Sequence, residues 1–255
     1  MDKLFAMLPC YNEEKDIEPL VHKWMELEGE FSRRGYALSV YCINDCSTDS
    51  TKAVITGLTQ TYPETVHLVD HEVNRGLGGA LLTAIHQFLA LGSGKDVCVL
   101  MDGDNTHDPV YTLSMLPKLE SGADCVIASR YCGESKTQGV SPFRLFLSWG
   151  ARAYYTMLLN VKNVKDYTCG YRAYSYDILH TAYQRFGDDL VERRSFACMM
   201  EILYKLSLCG AKFEEVPFEL RYDHKAGESK MRILKTVRES FATAFNLRFR
   251  SGRKA

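Results

Sequence analysis

The stretch Val97-Cys98-Val99-Leu100-Met101-Asp102-Gly103-Asp104-Asn105-Thr106-His107-Asp108-Pro109 lies near the middle of a 255-residue chain. Its first five residues form an uninterrupted apolar run, the pattern of a strand buried on both faces of a parallel sheet. The run ends abruptly in acids, and Asp108-Pro109 supplies an N-cap with proline at the first helical position. In extended backbone the side chains at i and i+2 point the same way, so the carboxylates of Asp102 and Asp104 converge across Gly103. Two such charges repel unless a cation lies between them. Mg2+ or Mn2+, hard ions that keep substrate phosphates in their shell, meet that need; the alternative is a pair that caps the next helix and binds water.

Outward from this stretch the same alternation recurs. Strands are predicted at Leu4–Leu8, Leu38–Ile43, Val66–Val69, Val97–Met101 and Cys125–Ser129, and helices at Ile17–Arg33, Ser50–Thr61, Leu77–Leu91 and Pro109–Leu119. Repeated βα units give an α/β fold with a mainly parallel sheet flanked by helices. No repeat or linker interrupts the chain, so residues 1–255 read as one domain. Pro142–Leu159 reads as a helix with Phe143, Phe146, Leu147, Ala151, Tyr154, Tyr155 and Leu158 on one stripe and Arg144, Ser148 and Arg152 on another arc. A tail helix from Lys230 to about Phe249 offers Ile233, Leu234, Val237, Phe241, Ala244 and Phe245, with Arg232, Lys235 and Arg238 opposite.

With 46% apolar and 25% charged residues, the composition is that of a globular protein with a substantial core, which excludes disorder and coiled-coil arrays. A net charge of −1 excludes a globally basic nucleic-acid binder. The charge is uneven, however: from Arg221 to Ala255 ten Lys/Arg face three acids, a surplus of seven that leaves −8 on the rest. This basic tail reads either as a solvated helix face or as a surface drawn to anionic lipid or phosphate. Nine cysteines, an odd number without a CxxC pair, read as buried thiols of a reducing, cytoplasmic compartment. Neither a secretory signal nor an apolar stretch of ~18 residues is present, so no membrane span is expected.

Ligands of open α/β sheets bind beyond the C-terminal strand ends. Pro9-Cys10-Tyr11-Asn12-Glu13-Glu14 follows the first strand and Asn44-Asp45-Cys46-Ser47-Thr48-Asp49 the second. Each alone reads as a helix cap. Together they suit a nucleoside, with Tyr11 stacking and Glu13 and Asp45 accepting hydrogen bonds from ribose hydroxyls and base N–H groups. After the third strand, Asn74-Arg75-Gly76-Leu77-Gly78-Gly79 departs in place and pattern from the dinucleotide fingerprint, which argues against a nicotinamide oxidoreductase. Its glycines are expected to let the backbone pass close to a phosphate or to the next strand, with Arg75 as the compensating cation.

The ordered set PCYNEE, NDCSTDST, NRGLGGA, MDGD, ASRY, DYTCGYRAY and GESK resembles the inverting glycosyltransferases of the GT-A fold (family 2 type) and, among them, the polyprenyl-phosphate sugar transferases typified by dolichol-phosphate mannose synthase. The likeness covers nearly the whole chain. It implies that Pro9, Tyr11, Glu13, Asp45, Arg75, Asp102, Gly103, Ser229 and Lys230 line a nucleotide sugar, with GDP-mannose favoured over a UDP-sugar. Asp102 and Asp104 are implied metal ligands for Mg2+ or Mn2+, and Asp104, Arg130, Arg144 and Ser148 are the implied catalytic set, the last three on the phosphate of a polyprenyl phosphate. Arg172 and Glu201 match family positions and read equally as a buried structural pair.

Two departures stand out: Thr106 replaces a metal-binding glutamine of many relatives, and His224 replaces an arginine. The loss of a methyl at Gly103, where the family usually has alanine, is expected to be harmless. Without a span, the chain would meet its lipid peripherally at the cytoplasmic membrane face, through the Phe143–Leu159 stripe and the basic tail, or rely on a membrane-anchoring partner. A soluble or saccharide acceptor, served by Asp166 or Glu201 as base, and a non-catalytic nucleotide-sugar-binding subunit are the alternatives.

Overall fold

A computed structural model describes residues 1–138, 142–221 and 233–250. The first half follows the predicted alternation: β1 (Asp2–Cys10), α1 (Ile17–Glu26), α2 (Glu28–Arg33), β2 (Tyr36–Asn44), α3 (Thr51–Thr61), β3 (Val66–Asp70), α4 (Gly76–Leu91), β4 (Val97–Leu100), α5 (Thr112–Glu120) and β5 (Cys125–Ser129). Then come β6 (Lys136–Gln138), α6 (Pro142–Leu159), β7 (Arg172–Ser175), α7 (Tyr176–Phe186), α8 (Ala197–Leu208), β8 (Phe213–Pro217), β9 (Glu219–Arg221) and α9 (Ile233–Arg250).

Seven strands form one sheet in the order β3-β2-β1-β4-β7-β5-β8, and β6 pairs with β9 beside it. Neighbours run parallel except β7, which is antiparallel to both β4 and β5. Leu4–Leu8 and all four residues of β4 are buried, as continuous apolar runs between two helical layers must be. The order reverses direction beside β1, so the crevice for ligands opens beyond the C-terminal ends of β1 and β4.

Three expectations are corrected. The predicted helix Ile17–Arg33 breaks at Leu27, whose N–H donates to the Trp24 carbonyl in a tightened turn; Trp24 and Phe31, on either side of the break, are both buried and stack at 5.9 Å. Next, β7 was not expected as a strand. Its Arg172 is fully buried at the sheet centre, donating to the carbonyls of Met199 (2.6 Å) and Tyr167 (2.9 Å), and a charge gives no apolar strand signal. Finally, Phe245, assigned to the apolar face of the tail helix, is 55% exposed and its ring lies 4.7 Å from that of Phe249. Among the described residues no helix is long and apolar enough to cross a membrane, and the nine cysteines are free thiols.

Candidate active site

The last residues of β1 hold the loops on either side of it. Cys10 accepts from the N–H of Asp45 (2.9 Å) and Pro9 from that of Gly103 (3.1 Å), so the carbonyls of one strand fix the starts of both flanking loops. The loops after β1 and β2 are stitched to one another as well: Asn12 N–H donates to Ser47 Oγ, Thr48 N–H to Asn12 Oδ1, Glu13 N–H to Thr51 Oγ1 and Ser50 N–H to Glu14 Oε2. Asn12 and Cys46 adopt left-handed backbone at φ 57° and 56°, a conformation asparagine tolerates. The result is a rigid rim on which Tyr11 stands 40% exposed while Glu13 is buried.

Asp45 is almost wholly buried and already bonded. Oδ1 accepts from His71 Nδ1 and Arg75 N–H, and Oδ2 from Gly76 N–H, all at 2.8 Å. A carboxylate oxygen takes two donors, so one acceptor direction remains, on Oδ2. Its demonstrated work is to tie the start of α4 to the end of β2. His71, absent from the sequence-based site, is held in turn by Thr83 at 2.9 Å; only its place just past β3 could have marked it.

The glycines in the first turn of α4 serve a neighbour other than those expected. A Cβ on Gly78 would lie 1.8 Å from the Arg193 carbonyl, and Gly78 N–H donates to the Arg194 carbonyl. The chain at Arg193–Arg194 therefore covers the first turn of α4, the place assigned to a phosphate or the next strand, while the Arg194 guanidinium binds the carbonyl of Arg75. The Arg75 side chain is exposed and its stem lies over Gly79.

After β4, Asp104 Oδ1 accepts from both the backbone N–H (3.2 Å) and the hydroxyl (2.6 Å) of Thr106. Lys23 donates to the side chain of Asn105, which holds that residue at φ 56°. Asp102 packs under the loop before β7, where a Cβ on Gly170 would stand 3.1 Å from Oδ1. Gly103 proves tightly fitted: a Cβ there would meet Cys10 Sγ at 2.8 Å and the Pro9 carbonyl at 2.9 Å, so alanine does not fit and the absent methyl matters.

Beyond β5 the Arg130 guanidinium grips Asp166 with two prongs, Nε to Oδ2 and Nη2 to Oδ1, each 2.7 Å. Asp166 is fully buried and also accepts from the N–H groups of Arg130, Thr168 and Cys169. Burial alone would raise its carboxyl, but the Arg130 charge and these hydrogen bonds outweigh it and hold it below the usual carboxylate range. Glu201 is likewise committed. It pairs with Lys205 at 2.8 Å and accepts from the N–H groups of Glu192 and Arg193, while burial pushes its carboxyl up against the pull of Lys205. Both candidate bases for a saccharide acceptor are therefore locked in ion pairs, and Arg172 and Glu201 pair with other partners than each other.

Residues 6–182 match glycosyl transferase family 2. The chain belongs to that family. Among relatives it is 28% identical over 229 residues to polyprenol monophosphomannose synthase of Mycolicibacterium smegmatis, covering 90% of this chain and 81% of that one. Undecaprenyl-phosphate mannosyltransferase of Micrococcus luteus is 27% identical, covering 90% and 87%. Among solved structures, glucosyl-3-phosphoglycerate synthase of Mycobacterium tuberculosis, with Mn2+, uridine diphosphate and phosphoglyceric acid, superimposes with a TM-score of 0.67 at 18% identity over 97% of this chain and 79% of that one. The fold is the GT-A fold of these enzymes, and the chain is a glycosyltransferase.

The glucosyl-3-phosphoglycerate synthase structure holds Mn2+. Asp102 and Asp104 offer hard oxygen donors two residues apart, and among the described residues no group of three or more His, Cys, Asp and Glu side chains gathers to complete a protein cage. That donor set fits Mg2+ or Mn2+, ions that keep open positions for substrate oxygens. The rim, the acid pair and Arg130 thus all follow the C-terminal ends of strands that run in the same direction. Arg144 and Ser148 lie on α6 with side chains outside the described residues, and Ser229, Lys230 and His224 lie outside them altogether.

Proposed function

We propose that this glycosyltransferase moves mannose from a nucleotide donor, GDP-mannose by preference, onto the phosphate of a polyprenyl phosphate, with inversion at the anomeric carbon. The observation that carries the reading is the Arg130–Asp166 pair. It fixes a guanidinium just past the C-terminal end of β5 and, with Glu201 tied to Lys205, withdraws from use as a base both carboxylates that a sugar hydroxyl would need. A phosphomonoester has a second pKa of about 6 and is ionised at neutral pH, so it attacks without a base. The names of the two mannosyltransferase relatives support the same sugar and the same class of acceptor.

On this reading Tyr11, Glu13 and the open direction on Asp45 hold the nucleoside. Asp102 and Asp104 hold Mg2+ or Mn2+, which when bound neutralises charge gathering on the leaving diphosphate. Arg75, Ser229 and Lys230 complete the donor side, and Gly103 gives the loop its close fit against β1. Arg130, Arg144 and Ser148 hold the acceptor phosphate in line with the sugar, so rate comes from positioning and charge. Contact with the lipid is peripheral, at the cytoplasmic membrane face, where Phe245 and Phe249 stand exposed beside Arg248 on a segment with a surplus of seven positive charges.

Turnover with polyprenyl phosphate, set against turnover with soluble saccharides, tests the reading. Lipid-dependent turnover whose rate is flat from pH 7 to pH 8.5 and falls near the phosphate pKa supports it. Faster turnover on a saccharide, with a titrating base, would displace it.

A further inference from the structure

Tyr131 follows Arg130 just beyond β5, and its ring carries two guanidinium groups. Cζ of Arg130 lies 5.6 Å from the ring centroid and Cζ of Arg152, on α6, only 4.7 Å. The two cations are not alike. Arg130 is matched by Asp166, whereas Arg152 makes no hydrogen bond or ion pair among the described residues and is half-buried. Stacking on a ring uses the face of a guanidinium and leaves its N–H edge open, the edge that recognises phosphate oxygens. Arg152 also stands four residues after Ser148 and eight after Arg144, so all three positions share one side of the helix by spacing.

We propose that Arg152 is a specificity-determining residue of the acceptor site, the guanidinium that balances the second negative charge of a phosphomonoester. The proposal rests on the reading of the acceptor given above. Because Asp166 neutralises Arg130, that pair brings little net charge to a dianion. Arg152, which has no ion-pair partner among the described residues, brings a full one, and Tyr131 holds both side chains to one surface. The site then distinguishes a terminal phosphate, with two charges, from an ester of the same shape with one.

Geranyl phosphate and geranyl sulfate, as inhibitors of transfer to polyprenyl phosphate, test this in the wild type, Arg152→Ala and Arg152→Lys. In Arg152→Ala the KM for polyprenyl phosphate and the inhibition constant of geranyl phosphate are expected to rise about tenfold, that of geranyl sulfate to change much less, and nucleotide-donor affinity to stay constant. Arg152→Lys, which keeps the charge and the helix, recovers most of the preference. Equal losses for both esters, or no loss, would overturn the role of Arg152. A wild type that makes no lipid-linked product and ignores both esters would overturn the acceptor reading itself, and the proposal with it.

Discussion

Arg130 and Asp166 form a two-pronged pair at 2.7 Å whose carboxylate is fully buried while the arginine side chain keeps 21% of its surface exposed. The buried partner is the anchor and the exposed one the tool. Replacing Asp166 by Asn leaves Arg130 unmatched, and breaking such a pair costs about 3–5 kcal/mol. Denaturant titrations of wild type and Asp166→Asn are expected to show that gap, with a raised KM for the acceptor. The Asp166 carboxyl lies below its ordinary 3.8, so the stabilisation is complete above that value and is lost as pH falls through the depressed one. The gap between the two proteins therefore stays constant from pH 8 to pH 5 and closes only below about 3.8.

Glycines in similar helical settings are expected to respond oppositely to alanine. Gly78→Ala drives a methyl into the Arg193 carbonyl and displaces the chain that covers α4, at about 1–3 kcal/mol. Gly29, within α2, has nothing within 4 Å of its added Cβ, so Gly29→Ala stabilises by about 0.5–1 kcal/mol. Thermal melts of the two variants check both signs.

Removal of divalent ions with a chelator is expected to stop turnover, and Mn2+ or Mg2+ to restore it. Asp104→Asn stays inactive at any metal concentration. Thr106→Val removes the hydroxyl that orients Asp104 Oδ1 and weakens metal affinity about tenfold, a loss that excess metal repairs. Calorimetric titration with Mn2+ separates the two outcomes, and unchanged affinity in Asp104→Asn contradicts the assignment.

The first half of the fold was legible because parallel strands buried on both faces leave apolar runs and their helices leave caps such as Asp108, which accepts from Val110 N–H as expected. The second half was not. Arg172 breaks the apolar pattern of β7, and no local signal marks a strand inserted between β4 and β5. At the site, residues at strand ends were found by position, whereas His71, the Asp166 clasp and the Arg193–Arg194 cover depend on contacts across 26, 36 and more than 110 residues, which single-sequence spacing does not encode.

Exposed Phe245 and Phe249, beside the basic tail, are expected to carry membrane contact. Phe245→Ser with Phe249→Ser should lower binding to vesicles containing anionic lipid while leaving nucleotide affinity unchanged. Equal sedimentation of the variant and the wild type with such vesicles removes this role from the tail.

The central claim, inverting transfer to a lipid phosphate without a base, is tested most directly by the configuration of the product. Purified protein, Mn2+, GDP-mannose and polyprenyl phosphate are incubated, and the organic-phase product is analysed by NMR. The account predicts a lipid-linked mannosyl phosphate with anomeric configuration opposite to that of the donor. Retained configuration, or mannose found only on water-soluble acceptors, contradicts it.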